Sequence, residues 1–260
     1  MESDDPSATP ARVIVTGASG GIGGAIAQEY LACGADVVNI DQADNTQNDA
    51  HTINTNIAEA QSVAATFAQI DDRWDGAAPD VFVGCAAISR PSHLLETAIE
   101  DFDAMVAINV RGTFITTQAA ARRMAAVRAG SIVLISSVAA FQAWADEAVY
   151  SATKAATSSL VQGFANDLAP FGVRVNAVAP GPIEHPAQTM ATTRSNPDVY
   201  RHEIERTPLS RLGGPEEVAK SVRLLAQAPW VTGQILCADG GFIASGLSYF
   251  GKARDNLLDP

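Results

Sequence analysis

The stretch VIVTGASGGIGGAIA, residues 13–27, constrains the fold more than any other part of the chain. Five glycines fall within eight positions, between a run of β-branched residues and the start of a helical pattern at Ala25, Ile26, Tyr30 and Leu31. Glycine costs about 1 kcal/mol per residue in a helix relative to alanine, so a helix start this bare needs a reason. At a strand-to-helix turn, glycines let the main chain approach a pyrophosphate, whose charge then sits at the positive end of the helix. Gly17, Ser19, Gly21, Ile22 and Gly23 are the candidate cradle. Their spacing, Gly17-x-x-x-Gly21-x-Gly23, is not the GxGxxG dinucleotide fingerprint, and taken alone the turn is weak evidence, a tight structural turn being the alternative.

Asp41 adds a second signal. It ends the next strand pattern, 18 residues past Gly23, where a carboxylate accepts hydrogen bonds from the adenosine ribose hydroxyls. The same charge repels a 2′-phosphate, and nothing basic stands in the glycine loop, so NAD is expected over NADP. The competing reading is a solvated aspartate at a strand end.

Strand-length apolar runs occur at 12–17, 36–41, 51–57, 80–86, 131–137, 174–180 and 234–240, with helical patterns at about 22–33, 58–70, 96–127, 148–170 and 215–227. Several strands are apolar on both faces, as strands covered by helices on each side should be. The alternation predicts a single-domain α/β fold with a doubly wound parallel sheet. Residues 182–208 break the rhythm with a polar connection far longer than the usual 4–6 residues or so, and the expected role is a lid. Residues 1–10 are expected to be a disordered tail, 11–242 the catalytic domain, and 243–260 an apolar extension that packs on the fold or on a neighbouring subunit.

The 260 residues carry a net charge of −12, which disfavours nonspecific binding to nucleic acid or to an anionic membrane. No apolar run approaches the roughly 18–20 residues that cross a bilayer, and the acidic start lacks the features of a secretion signal. Cys33, Cys85 and Cys237 form no CxxC pair, so a reduced, cytoplasmic protein is expected. The scattered histidines give no metal site.

The second constellation is SSVAAFQAWADEAVYSATK. Tyr150 and Lys154 are four apart and share one helix face, and Ser137 ends a strand thirteen residues earlier, at the edge where α/β sheets place ligands. Together with TGASGGIG, Asp41, NVRGTF, VRVNAVAPGPI (173–183) and VTGQILCADGG (231–241), these motifs make the chain resemble the short-chain dehydrogenase/reductase family from about Ala11 to Phe242.

That resemblance implies a seven-stranded Rossmann sheet, a homotetramer, and an NAD(H)-dependent oxidoreductase acting on a secondary alcohol or its ketone. Unperturbed tyrosine, with a pKa of about 10, stays protonated near neutrality, and a neighbouring cation favours its phenolate. The resemblance assigns Tyr150 as acid/base, Lys154 as its cationic neighbour and ribose ligand, Ser137 as hydrogen-bond partner of the substrate oxygen, and Asn109 as holder of a relay water. Without the family, Asn109 reads as a polar residue satisfied by local backbone. The resemblance also implies that Asn56 and Ile57 meet the adenine, that Ala86 allows close cofactor approach, and that Pro180, Gly181 and Ile183 line the nicotinamide. Ser89, Gln142, Trp144 and His185 are positioned to shape a substrate pocket, and for the aromatic and lid residues ordinary packing is the alternative.

Two departures stand out. Where the family reads NNAG this chain has Gly84-Cys85-Ala86-Ala87, which predicts altered packing with binding kept and Cys85 as a buried filler. His185 replaces a common Thr, either as a substitute nicotinamide contact or as a selectivity element. Asp146 and Glu147 read either as recognition groups for a hydroxylated or amine-bearing substrate, or as solvated loop charges. The alternative function is a catalytically silent NAD-binding sensor, and a carbon–halogen lyase is disfavoured by the intact glycines, Asp41 and Lys154.

Overall fold

Each of the seven apolar runs forms a strand, and the strands join in one sheet. In the computed structural model, residues 11–43, 48–184 and 197–244 are described. The strands are β1 (Arg12–Thr16), β2 (Asp36–Asp41), β3 (His51–Asn54), β4 (Val81–Gly84), β5 (Gly130–Ile135), β6 (Val173–Pro180) and β7 (Ile235–Ala238). They are all parallel, in the order β3-β2-β1-β4-β5-β6-β7. The chain therefore winds outward from β1 to β3, crosses back to β4, and winds out the other way. The reversal opens a crevice at the carboxyl ends of β1 and β4, where such sheets bind ligands.

Both faces of the sheet are dry. Ile14, Val38, Ile40, Phe82, Ile132 and Leu134 point to one side, against α2 (Ala60–Arg73), α4 (Thr113–Val127) and α5 (Ala148–Leu168). Val13, Val15, Val37, Val83 and Val133 point to the other, against α1 (Gly21–Ala32) and α7 (Pro215–Gln227). Alternate residues of one strand feed opposite cores, which is why these strands read as continuous apolar runs.

Three predicted elements differ in detail. The helix expected over 96–127 is α3 (Ile99–Met105), a π-helical turn (Val106–Gly112) and then α4, with Asn109 at the centre of the π turn. Ser137 lies two residues past β5, where it caps a 3₁₀ turn (Val138–Ala140) by accepting from the Ala139 N–H at 3.1 Å. The long 182–208 connection contains a helix, α6 (Pro197–Arg206). The expected tail at 1–10, His185 and residues 245–260 of the expected extension lie outside the described residues. Among the described residues no helix is long and apolar enough to cross a membrane.

Candidate active site

The glycine turn is as tight as its composition demands. Gly17 (φ 77°) brings β1 so close to β4 that a Cβ there would stand 2.9 Å from the Ala86 Cα. At Gly23 a Cβ would stand 2.1 Å from the Gly17 carbonyl oxygen, so only glycine lets α1 start directly on the turn. Gly21 has φ 58°, the left-handed region. Helix α1 has no side-chain cap at its N-terminus and no acidic residue in its first turn, so its amino end faces the crevice with its dipole uncompensated. This cradle fits a pyrophosphate.

Asp41 closes the far side of the turn. Its carboxylate accepts from the Ser19 N–H (3.1 Å) and from the N–H groups of Gln42 (2.7 Å) and Ala43 (3.1 Å). Asn39, fully buried in β2, accepts from the Ala18 N–H at 2.8 Å and donates to the hydroxyls of Ser19 (3.0 Å) and Thr52 (3.1 Å). Thr16 accepts from the N–H groups of both Cys85 and Ala86 at 3.0 Å, joining the ends of β1 and β4. The reading of the sequence missed Asn39 and Thr16. Their signal was a polar residue inside a strand that is otherwise apolar on both faces.

Ser137, Tyr150 and Lys154 converge at the carboxyl end of β5. Tyr150 and Lys154 lie on one face of α5, with Lys154 Nζ 5.7 Å from the Tyr150 ring centroid. Lys154 is 4 % exposed, and its Nζ donates to the Ile135 carbonyl at 2.8 Å. Burial lowers its pKa to about 8. The nearby Ser137 side chain favours the ionised form of the Tyr150 phenol. Burial and the neighbouring Glu147 charge outweigh it and push the phenol above its ordinary range. Ser136 holds the adjoining backbone, donating to the Lys154 carbonyl at 3.2 Å. Burial raises the Cys85 thiol to about 11, with Lys154 opposing, in keeping with a small filler at the GCAA departure.

The remaining predicted residues divide. Asn109 is 1 % exposed, and its amide pairs with both the N–H and the carbonyl of Ile88 (2.8 Å each) and with Thr153 (3.1 Å). Its side chain thus fastens the segment after β4 to α5, through partners 21 and 44 positions away in the chain. Asn56 bonds the Ala58 N–H and Glu59, while the Ile57 side chain packs in the core against Gly112. Pro180 ends β6 opposite Ala238, Gly181 lies against Asp239, and Ile183 bridges to Gly213. Ser89 is exposed.

Helix α6 supplies a wall that the sequence did not announce. Arg206 donates to Gln142 at 3.0 Å and lies 4.5 Å from the centre of the buried Phe242 ring, which packs on Trp144 at 5.8 Å. Glu203, one turn earlier on α6, is half-buried with its pKa raised to about 7 by burial and then by Glu147. Asp146 is exposed, whereas Glu147 is half-buried and its pKa is raised by burial, so only the first behaves as a solvated loop charge. Arg90 is paired with Asp101.

A cavity of about 280 Å³ beside Tyr150 is lined by Ser92, Thr97, Phe102 and Glu147. A larger one, about 540 Å³, lies past β6 and β7 between Ile183, Leu209, Arg211 and Asp239, away from the Tyr150 cluster. Among the described residues no group of three His, Cys, Asp or Glu could hold a metal ion.

The family model described as Enoyl-(Acyl carrier protein) reductase matches residues 17–243. The chain is 34 % identical to the 3-oxoacyl-[acyl-carrier-protein] reductase FabG of Aquifex aeolicus, covering 88 % of this chain and 95 % of the relative. It is also 34 % identical to the 2-(R)-hydroxypropyl-CoM dehydrogenase of Xanthobacter autotrophicus, covering 89 % and 98 %. Among solved structures, a short chain dehydrogenase from Leptospira borgpetersenii with bound NAD+ superposes with a TM-score of 0.82 at 27 % identity, covering 90 % of this chain and 93 % of that one.

Proposed function

The chain belongs to the short-chain dehydrogenase/reductase family, and on that premise we propose that it is an NAD-dependent oxidoreductase interconverting a secondary alcohol and its ketone, with Tyr150 as the acid/base. One observation carries the reading: Ser137, Tyr150 and Lys154 converge at the sheet edge that also carries the glycine cradle.

A bound nicotinamide dinucleotide would supply the hydride acceptor for oxidation, or the donor for reduction. Gly17, Ser19, Gly21, Ile22 and Gly23 would hold its pyrophosphate, Asp41 its ribose, and Pro180, Gly181 and Ile183 its nicotinamide end. NAD is favoured over NADP because a fixed carboxylate guards the ribose pocket and residues 17–43 contain no Lys or Arg. The relatives' names span reductases and dehydrogenases, so this preference rests on the chain's own residues.

Tyr150 takes the hydroxyl proton of an alcohol onto its phenol oxygen, or gives its proton to a ketone oxygen. Ser137 hydrogen-bonds the same substrate oxygen as charge develops there. Lys154, with one donor spent on Ile135, keeps two N–H groups for the ribose and a positive charge for the phenolate. Asn109 keeps the helix bearing Tyr150 in register with the segment after β4.

We also propose a homotetramer. Leu209, Leu224 and Trp230 are large apolar side chains exposed to solvent, and light scattering on the purified chain would give a four-chain mass.

The test is NADH formation from a panel of cyclic alcohols, dihydrodiols and polyols, with NADP+ and Tyr150→Phe in parallel. The expected result is turnover with NAD+ that falls by about 10²–10⁴ in the phenylalanine variant. Undiminished turnover in that variant removes Tyr150 as the base, and faster turnover with NADP+ removes the reading of Asp41.

A further inference from the structure

Helix α6 stands beside the site with little burial to hold it there. None of its ten residues is buried. Tyr200, Glu203 and Ile204 share one face by their spacing and are each only half-buried. Helices shorter than about 12–15 residues are marginal in water, and most draw their stability from an apolar face buried in tertiary packing. The chain just after α6 is fastened. Thr207 is buried, and the Leu209 N–H donates to the Gly240 carbonyl at 3.2 Å. A Cβ at Gly240 would stand 2.7 Å from Thr207 Cγ2, so the two segments lie in close contact. The helix is thus anchored where it ends, while its body lacks a buried anchor.

Arg206, the last residue of α6, reaches two other parts of the chain at once. Its Nη2 donates to Gln142 Oε1 at 3.0 Å, and its Cζ lies 4.5 Å from the centre of the Phe242 ring. Phe242 is 2 % exposed and packs on Trp144, with ring centroids 5.8 Å apart. Gln142 and Trp144 both belong to the loop that joins Ser137 to Tyr150. A planar guanidinium can lie on a ring and spend an edge N–H on an amide in one pose, which the point charge of a lysine does less well.

We propose that Arg206 is a positioning residue that pins α6 to the loop between Ser137 and Tyr150, through Gln142 and through the Phe242–Trp144 stack. Arg206 touches no reacting atom. It holds α6 in place as a wall on the substrate side, a consequence that rests on the oxidoreductase reading above. The glycine cradle, built from β1 and α1, does not depend on it. A cation in the last turn also helps a helix by opposing its dipole, but that effect needs neither Gln142 nor Phe242.

The experiment follows amide hydrogen exchange across residues 198–206 by mass spectrometry in the wild type, Arg206→Ala, Arg206→Lys and Gln142→Ala. An NADH fluorescence titration reports whether each variant is folded. Arg206→Ala should speed exchange in α6 by about tenfold or more, the worth of a hydrogen bond to a charged group, and leave the central strands unchanged. Gln142→Ala should give a smaller rise in α6, and Arg206→Lys should restore part of the protection. With NAD+ and the cyclic alcohol, dihydrodiol or polyol that the wild type oxidises fastest, Arg206→Ala should raise KM for the alcohol while kcat and NADH affinity hold. Unchanged α6 exchange in Arg206→Ala, an equal rise in the central strands, or no effect of Gln142→Ala on α6 overturns the pin. A fall in kcat or in NADH affinity in place of the rise in KM overturns the substrate-side role. Exchange decides the pin whether or not any alcohol is turned over, so it can fail while the oxidoreductase reading stands, and the reverse.

Discussion

Replacing Gly23 with alanine sets two effects of opposite sign against each other. Gly23 lies in the first turn of α1, where alanine is the better helix former by about 1 kcal/mol. Against this, the new Cβ would stand 2.1 Å from the Gly17 carbonyl oxygen and 2.7 Å from its carbon, whereas ordinary contact begins at 3.4 Å. The start of α1 must then retreat from the β1 turn by about 1.3 Å, because packed interiors do not absorb such overlaps. The obstructing atoms are main chain and cannot swing aside, and overpacking of this kind costs about 1–3 kcal/mol, so the steric effect wins. A misplacement of about 1 Å costs about 100-fold where a ligand needs fixed geometry. Gly23→Ala should therefore weaken NADH binding by about 100-fold in a fluorescence titration, while melting falls by only a few degrees (about 2–4 °C per kcal/mol for a chain of this size). An affinity within threefold of the wild type would refute the cradle, and a lowered melting temperature beside it would leave Gly23 a packing role alone.

Asp41→Ala should let NADP+ compete, narrowing the NAD+ to NADP+ ratio of kcat/KM by about tenfold or more; an unchanged ratio would show that the carboxylate does not select the cofactor. Asn39→Ala leaves the buried Ala18 N–H without its 2.8 Å partner and should cost about 2–3 kcal/mol, read as a fall of about 5–10 °C in melting temperature. A change under 2 °C would contradict it. Glu147 raises the Tyr150 phenol, so in Glu147→Gln the phenolate forms more readily, and the rising limb of kcat/KM for alcohol oxidation should move to lower pH. A limb that stays in place or moves to higher pH would show that Glu147 does not act on the base.

The sequence disclosed the groups whose positions are fixed by local rules. Gly17 and Gly23 mark a turn because any side chain there would strike main chain five or six residues away or the segment just past β4. Tyr150 and Lys154 meet because four residues make about one helical turn. Strand membership was legible because the central strands, β1, β2 and β4 to β6, are apolar on both faces. The strand ends were less so: Ser137 read as the end of β5, yet its side chain caps the next turn and the strand stops at Ile135. The wall on α6 was illegible for a different reason. Glu203 and Glu147 lie 56 positions apart in the chain, and nothing in the run PDVYRHEIER says which face of that helix turns inward. Asn109 shows the same limit, since its partners, Ile88 and Thr153, are fixed only once the sheet has brought the segment after β4 against α5.

The balance of charge around Tyr150 links these parts into one device. Burial and Glu147 together favour the neutral phenol, and Ser137 opposes them without prevailing. A neutral phenol is ready to protonate a ketone oxygen but is no base for an alcohol. Lys154 is close, but its Nζ is committed in part to Ile135, and burial weakens its hold on its own proton. On the proposed reading the phenol becomes a competent base only when further positive charge arrives beside it, and the oxidised nicotinamide ring carries that charge. Proton removal is then conditional on a loaded site, and an alcohol that enters first meets a residue that cannot yet deprotonate it. Glu147, by raising the phenol's pKa, lowers the share of phenolate present at a given pH. Neutralising Glu147 should accordingly let the Tyr150 phenolate form at lower pH.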